Sequence, residues 1–474
     1  MGIVVPDIET GSKKNGSGAA SGFRIIPRIE AHAGIVTFVQ RPLGKALLLA
    51  AFALLLRFFV PDLGVERSVM LPIALITFFP EYRRFILAVV PIVLVFHVAA
   101  DSLALGASLS VLTTAMILYA AVMKWPDSGF ARRPVATLLF GFTALTVVAC
   151  VAPLHSLYYR VLWTLVGTWA SYLWFVCYAL TDRSSMPKRD LTLELATLRP
   201  LWNSTFTPFP KGAAYLRRIE AQTPQELAVT QLKGLKLLVW AMMLAIFEQW
   251  WFRLFHGYLR IPSTVEALTM SMHGTPAPLL VRWESQALFF FELTLNFAVI
   301  GHQIIALCRM AGFNALRNSC RPLSSTTISE FFNRFYFYFK ELLVDLFFYP
   351  TFLRYFKRHR RLRTFFATFV AIVFGSSFFH LARDWQFIQR DGLWKSLIGY
   401  QVLFFQNVIL ATAVGLSQLR KRGPKASSIF RRRVLQPAGV LFFYCVLGVF
   451  GDESRLYTLG VHLKYLASLF FIRL

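Results

Sequence analysis

Apolar runs long enough to cross a bilayer recur along the whole chain, separated by short basic stretches, and this pattern restricts the fold more than any other property of the sequence. Where lipid replaces water, every backbone N–H and C=O must be satisfied within the chain, so repeated runs of this kind imply a bundle of helices. Twelve candidate spans can be marked: Ala46–Val60, Val69–Phe79, Phe85–Ala100, Leu103–Met123, Val135–Val151, Val161–Leu180, Leu235–Phe252, Ala287–Leu307, Thr364–Phe379, Leu397–Leu416, Val434–Phe450 and Leu456–Ile472. Of these, Val69–Phe79 and the last are short for a full crossing, which takes about 20 residues. The expected fold is an all-α integral membrane protein of about eleven to twelve transmembrane helices.

Charge supports the same class. Lys and Arg number 50 against 24 acids, a net charge of +26 that would suggest nucleic acid in a soluble protein. Here the cations sit in loops between apolar spans, where they set topology and meet anionic lipid, so no nucleic-acid partner is expected. Loops around Arg41, Arg83, Lys124, Arg183 to Arg218, Arg309 to Arg321 and Arg420 to Arg433 are basic, and those at Asp62–Glu66, Asp101, Ala152–Ser156 and Gly451–Glu453 are poor in base. By the positive-inside rule both termini are expected in the cytoplasm. Five cysteines lie scattered without paired spacing, so neither a disulfide framework nor a metal site is expected.

The chain divides into a polar N-terminal stretch at 1–45, disordered over 1–22 and with no cleavable signal, then spans over 46–181. A cytoplasmic loop and amphipathic helix occupy 182–234, and a second set of spans 235–474. Within the last region, basic loops flank the apolar run Phe331–Pro350 on both sides. That run is expected not to cross but to re-enter or lie in the interface. Beyond it stand the basic cluster Arg354–Arg363 and an apolar span ending at His380. An ionisable residue at the end of such a span is costly, and so marks a candidate functional site.

The residues Phe331-Phe332-Asn333-Arg334-Phe335-Tyr336, then Asp345, then His380 after a basic stretch, resemble the signature of the membrane-bound O-acyltransferase superfamily. Phe332 and Phe335 stand where the family carries tryptophan, Tyr336 where it carries His, Asn or Asp, and Val344 where it carries the Arg before the Asp. The resemblance implies an acyltransferase with His380 as general base, activating a hydroxyl for attack on a thioester, a role that typically contributes about 10²–10⁴-fold. Tyr336 or Asn333 would hold the thioester oxygen or orient the histidine. Arg334 and Asp345 would serve as ties or phosphate-side contacts, and Arg358 and Arg361, in the basic cluster, suit coenzyme A phosphates or lipid headgroups.

Glu292 and Asn296 share a helix face and could line the acceptor path, while Glu248, Gln406 and Asn407 are further intramembrane polar groups. The donor would be acyl-CoA or an acyl carrier protein, the acceptor a hydroxyl on a lipid, glycan or secreted metabolite, and no tightly bound cofactor is implied. Membrane lipids are the other expected partners. The likeness is nearer to bacterial members, which places the protein in a bacterial inner membrane, with the endoplasmic reticulum as the alternative. Two other readings stay open: a transporter or flippase using His380, Glu248 and Glu292 as a relay, and a family member that binds acyl lipid without turnover.

Overall fold

The computed structural model describes residues 26–60, 63–98, 101–182, 191–202, 207–420, 428, 430–451, 455 and 457–472. The stretch 1–22, expected to be disordered, and parts of the loops at 182–222, 420–433 and 451–453 lie outside these residues. Among the described residues every regular element is helical, and nine helices are long and apolar enough to cross a membrane. They are Pro42–Phe59, Ser102–Lys124, Pro134–Val151, Leu157–Thr181, Pro224–Tyr258, Leu279–Met310, Arg360–Arg383, Gln401–Leu419 and Arg433–Phe450. This is a multi-pass helical membrane protein. Three expected spans are shorter helices than the bilayer demands: the apolar part of one is Ser68–Phe78, the second is Arg83–Val98, and the last is only Leu459–Leu469.

Local chemistry fixes the ends. Pro42, Pro134 and Pro224 each sit in a first turn, where a missing N–H is no loss. Asp101, Ser156 and Thr223 cap their helices by accepting backbone N–H bonds, from Ala104, Tyr159 and Glu226. The helix that starts at Thr223 runs without interruption to Tyr258, so the amphipathic stretch and the span after it are one rod of 35 residues. Large apolar side chains such as Leu54, Phe140 and Val151 are about three-quarters exposed on the outside of the bundle, as lipid contact requires.

Of the four hydrophobic cores among the described residues, two are large. One gathers Phe52, Ile73, Trp202, Phe209, Leu237, Ile305 and Phe313, from the first spans and the helices Pro224–Tyr258 and Leu279–Met310. The other gathers Val111, Phe142, Trp163 and Trp174 with Phe379 and Ala382. The segment between them is shared: Phe337 and Tyr338 belong to the first core, and Leu342, Leu343 and Leu346 to the second. Successive helical faces of one short element therefore close both cores.

Candidate active site

The conspicuous segment is broken into pieces. A helix over Ile328–Phe335 is capped by Thr327, whose hydroxyl accepts from the Glu330 N–H. It stops at Tyr336, whose extended backbone (φ −138°) starts a new helix over Phe337–Leu343. A wide π-helical turn, Val344–Phe348, follows. A second π turn, Ala371–Gly375, interrupts the helix Arg360–Arg383 and packs against the first. At their contact Gly375 has no room for a methyl group, because a Cβ there would come within 2.8 Å of Leu343 Cδ2 and 2.9 Å of Phe347 Cδ2. Wide turns of this kind place side chains off the regular helical register, and they are common at functional positions.

His380 lies five residues beyond that close contact. Its ring meets Phe379 and Phe339 edge to face, with centroids 5.5 and 6.4 Å away. Trp174 stacks on Phe379 and leans on Phe347, so the histidine stands in an aromatic wall built from three helices. The helix carrying it is pinned one turn earlier, where Ser376 donates to Asn407 Oδ1 and Asn407 Nδ2 donates to Ser377, each at 3.2 Å. The Tyr400 hydroxyl donates to the His380 backbone carbonyl at 3.3 Å. The imidazole itself bonds no other described residue, and neither of its nitrogens is sealed off. His302 is the contrasting case, only 4% exposed, with Nδ1 enclosed and without a partner.

Immediately after His380 lies an ionic cluster that the sequence reading missed. Arg383 meets Asp384 through two bonds, of 2.6 and 3.2 Å. Arg455 reaches the same carboxylate from the far end of the chain, and its guanidinium lies over the rings of Tyr400, 3.9 Å to the centroid, and Phe387, at 4.4 Å. Arg383, Asp384 and Arg455 all lie within electrostatic reach of the His380 ring. No pattern of spacing links Arg455 to residue 384 across the intervening span. Only the Arg383–Asp384 pair next to the histidine could have signalled it.

The other expected site residues are dispersed. The Tyr336 hydroxyl lies 3.1 Å from Thr207 Oγ1, and its ring touches Phe339, which stands between it and His380. Asn333 is exposed, on a helix face turned away from the buried Phe331. Arg334 ties its own helix locally, to Glu330 at 2.7 Å and to the Ser324 hydroxyl at 3.1 Å. Arg358 and Arg361 are exposed, and Arg361 starts a helix whose other end carries His380, roughly 30 Å along the axis at 1.5 Å per residue. Glu292 accepts from or shares a proton with His256 Nε2 at 2.9 Å, and Asn296 hydrogen-bonds Glu248, making a polar group between the helices Pro224–Tyr258 and Leu279–Met310. No described contact joins that group to His380.

Asp345 belongs to a second ionic cluster. Lys211 bridges Asp345 Oδ2 at 2.8 Å and Glu341 Oε2 at 2.6 Å, the Tyr178 hydroxyl donates to Asp345 at 3.0 Å, and Lys340 pairs with Glu341. Burial pulls the Lys211 amine down, but Asp345 and Glu341 outweigh it and hold it above its ordinary value. Burial pushes the Glu341 carboxyl up, yet Lys340 and Lys211 hold it below the usual range. Nearby Asp182 accepts from the Ala214 N–H at 3.0 Å; burial raises its carboxyl to about 6, the Ala214 bond opposes, and the Asp345 charge adds to the rise. Lys211 itself holds a left-handed backbone (φ 98°), which its two ion pairs compensate.

Among the described residues no cluster of His, Cys, Asp and Glu is arranged to hold a metal ion. No family model matches this chain, and no curated protein matches it.

Proposed function

We propose that this protein is a membrane-bound O-acyltransferase in which His380 is the general base, and that the chain is a divergent member of that superfamily. The observation that carries the reading is the state of His380. It is fixed by helix pinning and aromatic packing, yet its imidazole has no described partner and is not sealed off, beside the one segment that resembles the family signature.

In the reaction, the acceptor hydroxyl gives its proton to the imidazole as its oxygen forms a bond to the acyl carbon. The carbon–sulfur bond then breaks, and the imidazole returns the proton to the departing thiolate. The broken segment Ile328–Arg354 serves as the re-entrant element that closes the chamber. Phe339 and Phe379 supply an apolar wall that excludes bulk water. Asn333 and Tyr336 act as the rim of that chamber, since Phe339 separates Tyr336 from the histidine. Arg358 and Arg361 meet anionic donor or lipid headgroups at the opposite end of the His380 helix, on the cytoplasmic side by the charge rule. A donor engaged there reaches His380 only along its extended length.

Thioester consumption by the purified protein in nanodiscs tests this, with acetyl- and long-chain acyl-CoA and a membrane lipid extract. Wild type is expected to exceed His380→Ala by about 10²-fold or more, with folding unchanged. Equal rates remove His380 from the chemistry. The polar group of Glu248, His256, Glu292 and Asn296 favours a second reading, a transporter with an intramembrane relay. On the acyltransferase reading Glu292→Gln leaves thioester consumption within about threefold of wild type; on the transporter reading neither variant affects it, and Glu292→Gln abolishes flux in proteoliposomes.

A further inference from the structure

Arg455 is held at a point where a charge is hard to keep. Its side chain and that of Asp384 are each only 10% exposed. Its Nη2 pairs with the Asp384 carboxylate, which Arg383 also engages, while Nη1 is enclosed and has no acceptor among the described residues. At Arg83 and Arg282 the enclosed nitrogen without an acceptor is Nε; here it is a terminal nitrogen, which carries two N–H groups. Buried charged donors are almost always satisfied, and an unsatisfied one within a built cluster marks a place where an acceptor is missing. The guanidinium is pre-set for one: it lies over the rings of Tyr400 and Phe387, and its planar fork suits the paired oxygens of a phosphate or carboxylate.

We propose that Arg455, set beside Tyr400 and Phe387 and neutralised at rest by Asp384, which competes for it, binds an anionic phosphate or carboxylate group carried by the acyl acceptor, and so presents the acceptor hydroxyl to His380. That the ligand is the acceptor rests on the acyl-transfer reading of His380; that it is anionic rests on Arg455 alone. The donor's phosphates are a poor alternative. The exposed cations suited to them, Arg358 and Arg361, lie at the other end of the His380 helix, roughly 33 Å from Arg383 at 1.5 Å per residue. Because Nη1 is enclosed, binding includes a side-chain movement that uncovers it, with Tyr400 the nearest ring to give way.

The test is calorimetric binding to the full chain in phosphatidylcholine nanodiscs, which offer no net anionic lipid. The probes are inorganic phosphate, 1-hexanoyl-glycerol 3-phosphate and, as neutral control, 1-hexanoyl-glycerol. Both phosphate probes are expected to bind at least tenfold more tightly than the neutral one, with Arg455→Gln losing at least tenfold. Asp384→Asn, which removes the competing carboxylate, is expected to tighten binding about threefold, an outcome that misfolding does not produce. His380→Ala is expected to bind both probes as wild type does, so loss of turnover without loss of binding, or the reverse, separates the two proposals. Lipid phosphate binding tenfold tighter than free phosphate assigns the group to a lipid headgroup; equal affinities assign it to a soluble acceptor. Equal binding by wild type and Arg455→Gln, equal binding of the neutral probe, or weaker binding by Asp384→Asn overturns the proposal.

Discussion

Two buried ionic clusters flank the His380 region, and they are built on opposite principles. Around Lys211 the ionic bonds form a closed set: the amine holds Asp345 and Glu341, Glu341 also holds Lys340, and Tyr178 donates to Asp345. Around Arg455 the account stays open, because one guanidinium nitrogen is enclosed without an acceptor while Asp384 is engaged by two arginines. The first arrangement ties the polar excursion after residue 182 to the broken segment at 337–348. The second leaves a directed donor beside the histidine. The difference teaches that burial of charge alone does not separate scaffold from site; whether the donors and acceptors come out even does.

That contrast is most severely tested by removing each cation. Lys211→Met strands Asp345, while Glu341 keeps Lys340, and is expected to cost about 3 kcal/mol, read as a fall in the unfolding midpoint in detergent. Adding Asp345→Asn to that variant is expected to restore most of the loss, since Glu341 stays paired with Lys340 and no stranded ion remains. If Lys211→Met is as stable as wild type, the cluster is not a structural tie.

A smaller effect follows from Asp182, whose carboxyl is raised from an ordinary 3.8 to about 6. The folded chain keeps a proton there that the unfolded chain has lost, so this group's contribution is full below its ordinary value and declines as pH rises from about 4 to about 6. Asp182→Asn is expected to remove that decline, roughly 2 kcal/mol, in unfolding midpoints measured across the range. Glu341 runs the other way: its contribution is present above its ordinary 4.5 and is lost as pH falls through its lowered value.

Arg455→Met is expected to cost only about 1 kcal/mol of stability, because Asp384 keeps Arg383 when the Nη2 bond is lost and removal of Nη1 takes away a donor without an acceptor. A loss comparable to that of Lys211→Met would make the two clusters alike and erase the distinction. Smallest of all, Tyr336→Phe forfeits one hydroxyl contact with Thr207, worth about 1 kcal/mol or less, and leaves thioester turnover within about threefold. A hundredfold loss there would place the phenol in the chemistry despite the ring of Phe339 between it and His380.

Much of the architecture was legible in the sequence because lipid tolerates so few backbone solutions. Every long apolar run became a helix, and the Thr223, Pro224 and Glu226 start was readable to the residue. Length was the weaker signal: Phe85–Ala100 and Leu456–Ile472 read as spans, but their helices are Arg83–Val98 and Leu459–Leu469. The site was legible only where one stretch contained it. His380 could be picked out from its place at the end of an apolar run. Arg455 could not, nor could Lys211, framed by Pro208, Pro210 and Gly212, because their roles depend on partners 71 and 130 residues away. The polar pattern around Arg334 misled for a physical reason: i,i+4 pairing with Glu330 satisfied it locally before any ligand was needed.

The sharing of Phe337–Leu346 between two cores bears on how such a chain can be assembled and taken apart. Its Tyr338 is fully enclosed in one core, and its Leu342 is fully enclosed in the other. A polypeptide released from the ribosome before this stretch would present two unfinished seams to the lipid, and both would close in one event when ten residues arrive. The same ten residues tie the two halves together: cut there, each core loses residues that it shares with no other element.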